Sequence, residues 1–525
     1  MRNKSTLFSL FLILLTGCHF QVPKDPSILI WHLGAEPDTL NPILATDAYA
    51  GTIDNFIYET LIERDNATLA WRPKLATRWE ISPDHRQFTY TLRDDVFWHD
   101  GTPFTTDDIL YSFEKIMDPA VDDPHLKVYY KDILKVEKLS PVVVRFTYRE
   151  PYFLALEFTG TIPIIPKHLY QGTDFNKNPL NRTPIGTGPF RFLSWKTGDR
   201  IRIARNEGYW REKPALHGID FEIVAEDTVA LQVLKKGGLD FAGLRPIQWV
   251  RQTGSSRFNN RFEKRSYTTP GYSFIGWNNK KPFFKDKRVR RAMTFLINRQ
   301  QILEKLNFGL GRVVTGPAYV DSLDYNPQIE PIPYDPDKAK ELLAQAGWRD
   351  TDHDGWLDKN GVPFRFEFLI SSGRRFAERL ATILKEDFAG VGIDMEIRKL
   401  EWALFIKNLD DRKFDAVTLG WVFGFEQDPY QVWHSSQAVK GSNFVGFENR
   451  EADTLIEMGR REFDRQKRAN LYRRFHQIVD EEQPYTFLYA SPHLLALDRR
   501  FENVQVYPAG VDPLEWTVRP VLELE

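Results

Sequence analysis

Phe88, Tyr90 and Leu92 alternate with polar residues, and Val142, Val144 and Phe146 alternate with Arg145 and Thr147. A period of two places one set of side chains on a single face of a pleated strand, so both segments predict half-buried strands. After Thr105 the period changes. Ile109, Phe113 and Ile116 recur at helical spacing, Thr105 and Asp108 stand three apart as a capping box, and Pro119 lies beyond the end. A further helix is predicted from Asp335, with Pro336 as its first residue, Ala339, Leu342, Leu343 and Ala346 as its apolar stripe, and Gly347 as its stop. Such segments alternate irregularly along the chain, with no repeat period and no low-complexity tract, which predicts a mixed α/β architecture.

The first residues follow a different pattern. Arg2 and Lys4 precede an apolar run from Leu7 to Leu15, shorter than the roughly 18 to 20 residues that cross a bilayer. This predicts an export signal over residues 1–17. Leu15-Thr16-Gly17-Cys18 resembles a lipobox, so Cys18 is the expected lipidation site and residues 18–27 the linker it tethers. Cys18 is the only cysteine in the chain, which leaves no intramolecular disulfide to form. The lipid is then the expected anchor, with the body outside the cytoplasm, in the periplasmic space if the envelope is double-membraned.

Composition narrows the function classes. A chain of 525 residues exceeds the roughly 250 to 300 residues at which single cores stop growing, so two or three domains are expected. With 42% hydrophobic and 14% aromatic residues the body is globular, and 70 basic against 72 acidic residues leave no electrostatic footprint for nucleic acid.

Several segments resemble catalytic signatures. Ser112-Phe113-Glu114-Lys115 and Lys196-Thr197-Gly198 match two of the three elements of penicillin-recognising enzymes, but no S-D-N lies between them and Ser112 falls on the capped helix. Asp350, Asp352 and Asp354 resemble the front of an EF-hand loop, yet the twelfth position is Gly361 and not Glu. An Asp-rich turn is expected there. His99 and Asp100 are neighbours, which a strand would send to opposite faces, so a turn is expected and not an acid/base pair. No H-E-x-x-H and no phosphate-binding G-x-x-x-x-G-K-[ST] occurs. No metal, cofactor or catalysis is expected.

The stretch Arg93-Asp94-Asp95-Val96-Phe97-Trp98-His99-Asp100-Gly101-Thr102-Pro103-Phe104-Thr105, running into the helix from Thr106, resembles the signature of the bacterial extracellular solute-binding proteins of family 5. These are the oligopeptide-, dipeptide- and nickel-binding proteins of ABC importers. Thr183-Pro184-Ile185-Gly186-Thr187-Gly188-Pro189-Phe190 resembles the family's GTGPY segment, and Asn206, Tyr209-Trp210, Gly238-Leu239-Asp240, Phe284 to Ala292, Tyr334 to Ala339, Gly420-Trp421 and Asp428-Pro429 follow in the family's order. The resemblance covers about residues 28 to 510. It implies a two-lobe periplasmic-binding-protein-like α/β fold, of type II in its large form, with a hinge between lobes and an extra N-terminal subdomain. The boundaries it implies are 28–270 for lobe I with the subdomain, 271–484 for lobe II, and 485–525 for the return to lobe I.

By the same resemblance the protein is a monomer that captures a peptide or peptide-like solute and hands it to permease and ATPase subunits. The expected ligand loop is Gly420 to Tyr430, with Trp421 and Phe423 as aromatic walls, although a strand end packing into lobe II would carry the same aromatics. Peptide-binding relatives place an Asp at the position of Gly424 to receive the ligand's ammonium. Here Glu426 is expected to take that role and Asp428 to shape the turn. Dipeptide-binding relatives use an Arg and a Tyr where this chain has Ser371 and Gly373, so a strict dipeptide binder is not expected. Arg374 either receives a ligand carboxylate or marks a helix start, and Tyr49 completes the expected ligand-binding set. Nickel, haem or glycan binding on the same fold, or peptide sensing, is the alternative reading, and a secreted hydrolase the distant one.

Overall fold

A computed structural model describes residues 25–122 and 126–519. The expected signal, Cys18 and the linker up to residue 24 lie outside the described residues. Three sheets organise the molecule.

The smallest of them shows the alternation most directly. In Gln87–Leu92, Phe88, Tyr90 and Leu92 are buried while the residues between them are partly exposed, and Val143–Tyr148 buries Val144, Phe146 and Tyr148 in the same way. The two strands pair antiparallel, Phe88 opposite Phe146 and Tyr90 opposite Val144, flanked by Ala76–Ile81 and Ile133–Ser140. Helix Thr106–Met117 begins at Thr105 with its capping box formed, and it buries Ile109 and Ile116. This is the extra subdomain, and its apolar face joins the core of lobe I.

Lobe I is built on a seven-stranded sheet in the order Phe262–Tyr267, His493–Asp498, Phe241–Gly243, Ile28–Leu33, Gly218–Ile223, Arg200–Arg205, Phe190–Lys196. The two motifs that carry the family resemblance meet here. The Gly186 N–H donates to His99 Nδ1 at 3.2 Å, and His99 Nε2 lies 3.0 Å from the Gly188 carbonyl oxygen. Nδ1 is therefore the acceptor and Nε2 carries the proton. Burial holds this imidazole down at about 4, neutral near pH 7. Gly186 has no alternative, because a Cβ there would stand 1.8 Å from the Ile57 carbonyl oxygen. His99 thus belongs to a structural turn, as expected.

Lobe II is built on a five-stranded sheet in the order Asp394–Leu400, Arg365–Ser371, Ala416–Val422, Gly271–Trp277, Tyr485–Phe487. The first three strands are parallel, with helix Arg375–Ala389 crossing between Arg365–Ser371 and Asp394–Leu400 and burying Leu380, Ala381, Leu384 and Phe388. Helix Pro336–Gln345 starts at Asp335, whose side chain accepts from the Lys338 N–H, and Gly347 follows at φ +90°.

The chain passes from the lobe I sheet to the lobe II sheet between Tyr267 and Gly271. Strand pairing locates the return crossing. Tyr485–Phe487 pairs with Gly271–Trp277, and Tyr489–Ala490 pairs with Arg312–Val313, both in lobe II. His493–Asp498 then joins the lobe I sheet. By strand pairing the return crossing lies between Ala490 and His493. Residues 485–490 form an apolar run that is buried in either lobe, so periodicity does not say which sheet they join. The buried hydrophobic clusters divide between the lobes, two to each, with contacts such as Phe153 on Tyr472 at 6.5 Å crossing the boundary. Two bodies with separate cores, joined by two short crossings, have the construction of a hinge.

Candidate functional site

In an open sheet, ligands collect where parallel strands end at their carboxyl termini. The three parallel strands of lobe II end together on a cavity of about 560 Å³ beside the crossings, lined by Thr269 to Ser273 and by Ser491 and His493. Arg365–Ser371 delivers Arg374, Asp394–Leu400 delivers Trp402, and Ala416–Val422 delivers Trp421 and Val422.

The sheet opens at this point. Ala416–Val422 pairs with Gly271–Trp277 along its whole length, but with Arg365–Ser371 only at Ala416 and Val417. From Thr418 onward one backbone edge of the strand has no paired strand among the described residues and borders the cavity. Exposure alternates along the same segment. Gly420, Val422 and Gly424 are exposed, Val422 to 81%, while Trp421 and Phe423 are half-buried.

Trp421 both lines the cavity and stacks into lobe II, 5.9 Å from Phe444 and 6.4 Å from Phe274. Phe423 packs on Tyr272 at 5.4 Å and does not line the hinge cavity. It shares the face of Trp421 and borders a neighbouring apolar pocket with Val432 and Trp433. Arg374 stands at the N-terminus of helix Arg375–Ala389 without capping it, exposed, its guanidinium 6.0 Å from the Trp402 ring. Among the described residues it has no acidic partner. Trp402, 47% exposed, was missed in the sequence. The available signal was a tryptophan directly after a Glu N-cap at a strand end. Tyr49 lies in the first turn of helix Ala48–Ile57, its hydroxyl over Gly34 at the end of the lobe I strand Ile28–Leu33 and outside the hinge cavity.

Glu426 is not free. Its Oε1 accepts from Arg468 at 2.7 Å, and its Oε2 lies 3.3 Å from Arg64 of lobe I. With two guanidinium groups engaged, it is a charge that bridges the lobes. Arg64 also binds Glu157 of lobe I at 2.5 Å. Burial raises the Glu157 carboxyl against the pull of Arg64. Asp324, beside this cluster, is pushed up to about 6 by burial, with Arg468 opposing. Asp428 accepts from the Tyr430 N–H at 3.0 Å, the turn role expected of it, and also binds Tyr152 of lobe I at 2.9 Å and Arg460 at 2.8 Å. Further contacts join the lobes here. The Phe153 N–H donates to the Arg460 carbonyl at 3.0 Å, the Arg468 guanidinium lies 4.2 Å over Phe153, and His85 stacks on Phe463 at 3.9 Å.

The catalytic look-alikes are occupied by structure. Ser112 Oγ is buried, donates to the Asp108 carbonyl at 2.7 Å and accepts from the Ile165 N–H at 2.9 Å. Lys115 pairs with Asp118 and Lys196 with Asp199. Asp350, Asp352 and Asp354 bring ligand atoms within 4.8 Å of one another, but they also accept from the turn's own N–H groups at Gly355, Asp354 and Trp356. Gly361 takes φ +75° in the following turn.

The chain matches the family described as bacterial extracellular solute-binding proteins, family 5, over residues 70–443. It is 30% identical over 500 residues to the oligopeptide-binding protein AppA of Bacillus subtilis, covering 93% of this chain and 90% of that one. The solved structure of that protein in complex with a nonapeptide superimposes with a TM-score of 0.80 at 28% identity, covering 94% and 99% of the two chains. NikZ of Campylobacter jejuni, solved in complex with Ni(L-His), superimposes with a TM-score of 0.80 at 26% identity, covering 94% and 100%.

Proposed function

The chain belongs to the bacterial extracellular solute-binding proteins of family 5, and on that premise we propose that it captures oligopeptides or peptide-like solutes for an ABC importer. The observation that carries this reading is the open strand edge from Thr418 to Val422 along a cavity of about 560 Å³. Main-chain N–H and C=O groups left without a strand partner pair best with another extended main chain, which is how peptides add to sheets. The cavity lies within the roughly 300 to 1,000 Å³ of small-ligand sites. Trp421 and Trp402 offer apolar surface that tolerates varied side chains, and Arg374, free of acidic partners, offers a planar donor set for a ligand carboxylate.

Binding proceeds by closure of the two lobes. Their separate cores leave them free to move about residues 268–270 and 491–492, and a ligand touching both favours the closed arrangement. The closed form delivers its solute to the permease, and the ATPase subunits supply the energy. The mature protein is a monomer held by lipid on Cys18, on the outer side of the membrane. Supporting this anchor, Cys18 follows Leu15-Thr16-Gly17, and no helix among the described residues is long and apolar enough to cross a membrane.

Mass spectrometry of solutes that co-purify with the protein tests the reading. Peptides released on denaturation are the expected result. A non-peptidic solute alone, or turnover of the released compound by the purified protein, overturns it.

A further inference from the structure

The exposed positions Gly420, Val422 and Gly424 form one row along the open edge, and the group standing over the end of that row comes from lobe I. Glu157 lies in helix Ala155–Gly160. Its Oε2 accepts from Arg64 at 2.5 Å, while its Oε1 has no hydrogen-bond donor among the described residues. A Cβ at position 424 would lie 3.4 Å from that Oε1, so glycine keeps open the space in front of a half-satisfied carboxylate. The side chain retains 24% of its exposure.

The charges around it point the same way. Glu157, Glu426 and Asp324 gather at the lobe boundary with Arg64 and Arg468 as their engaged cations, and Arg465, 70% exposed, comes no nearer to Glu426 than 3.9 Å. No guanidinium forms an ion pair with Asp324 among the described residues. Glu157 Oε1 is left facing the row with no cation of its own among the described residues. A free carboxylate oxygen in such a place is best met by a compact cation with N–H donors.

We propose that Glu157 Oε1 receives the ammonium group of the ligand, the free amino terminus of a peptide whose main chain runs along the row from Gly420 to Gly424. This rests on the peptide reading above. Lobe II supplies the open strand edge and Arg374, and lobe I supplies the acid. The ammonium contact is complete only when the lobes meet, so the amino terminus itself favours closure.

The test is retention of a lysine-free pentapeptide library, in free-amine and N-acetylated forms, on full-length protein, read by mass spectrometry. Wild type is expected to prefer the free-amine form by about ten- to a hundred-fold, the range of a hydrogen bond to a charged group. Glu157→Gln keeps an oxygen for Arg64 and removes the charge, and the preference is expected to fall to near unity with retention of acetylated peptides unchanged. Gly424→Ala leaves Glu157 in place and fills the space before it, and should reduce the preference as well. Thermal melting confirms that both variants fold. The assignment is overturned if wild type retains both forms equally, or if folded Glu157→Gln and Gly424→Ala keep the full preference. Failure of wild type to retain any peptide would instead remove the peptide reading on which it rests.

Discussion

Arg64 reaches Glu426 at 3.3 Å across the lobe boundary, from a position 362 residues earlier in the chain. The same guanidinium holds Glu157, so one cation sits between two carboxylates from different lobes. Their side chains keep only 18 to 24% of their exposure, so solvent screens the three charges less than it would a surface pair.

Arg64→Ala should therefore favour the open arrangement. Two carboxylates would face each other half-buried with their shared cation gone, and each lobe would regain hydration by separating. Small-angle scattering of the unliganded variant should show a larger radius of gyration than wild type, with peptide affinity about ten-fold lower. An unchanged radius would mean that the Tyr152, Asp428 and Arg460 contacts suffice to hold the lobes together.

Replacing Arg374 separates its two readings. If it receives a carboxylate, Arg374→Ala weakens peptides with a free carboxyl terminus by about ten-fold and leaves carboxy-amidated peptides unaffected, measured by titration calorimetry. A mere helix-start charge predicts equal effects on both forms.

Trp421→Ala should cost both binding and stability. The ring is half-buried, so the loss in urea unfolding should be about 2 kcal/mol, below the range for a fully buried tryptophan. Affinity for peptides should fall while the folded protein keeps its circular dichroism. Phe423→Ala, turned to Tyr272, should cost stability while affecting affinity less.

Buried imidazoles contribute a loss of stability in acid. His476 is fully buried, accepts the Asn326 N–H at Nδ1 at 3.1 Å, and is held down at about 4 by burial. Unfolded histidine titrates near 6.5, so between about pH 6.5 and 4 the unfolded chain binds the extra proton and stability falls as pH falls. His99, also about 4, acts in the same direction. Asp324, raised to about 6, acts oppositely, because the folded state holds its proton to higher pH than the unfolded chain. In urea midpoints measured from pH 7 to 4.5, His476→Gln should lose less stability towards acid than wild type, and Asp324→Asn more.

The strands at Phe88 to Leu92 and around Val144, the capped helix from Thr106, and the helix from Asp335 were all legible in the sequence. Alternation, capping and a glycine stop are relations among residues a few positions apart, and the chain satisfies them locally. The family was legible for a related reason, since its motifs are scaffold turns such as the one His99 closes on Gly186 and Gly188.

The site was legible only in part. The sequence by itself put forward Gly420 to Tyr430 as the ligand loop and Arg374 as a candidate, and Trp421 and Arg374 line one cavity. It did not determine that Phe423 packs on Tyr272, that Glu426 is engaged by Arg64 and Arg468, or that Glu157 stands over Gly424. Those facts depend on which residues, hundreds of positions apart, are brought together when two lobes with separate cores meet. Charge pairing across such a boundary leaves no periodic trace in the chain, so only the tertiary structure decided it.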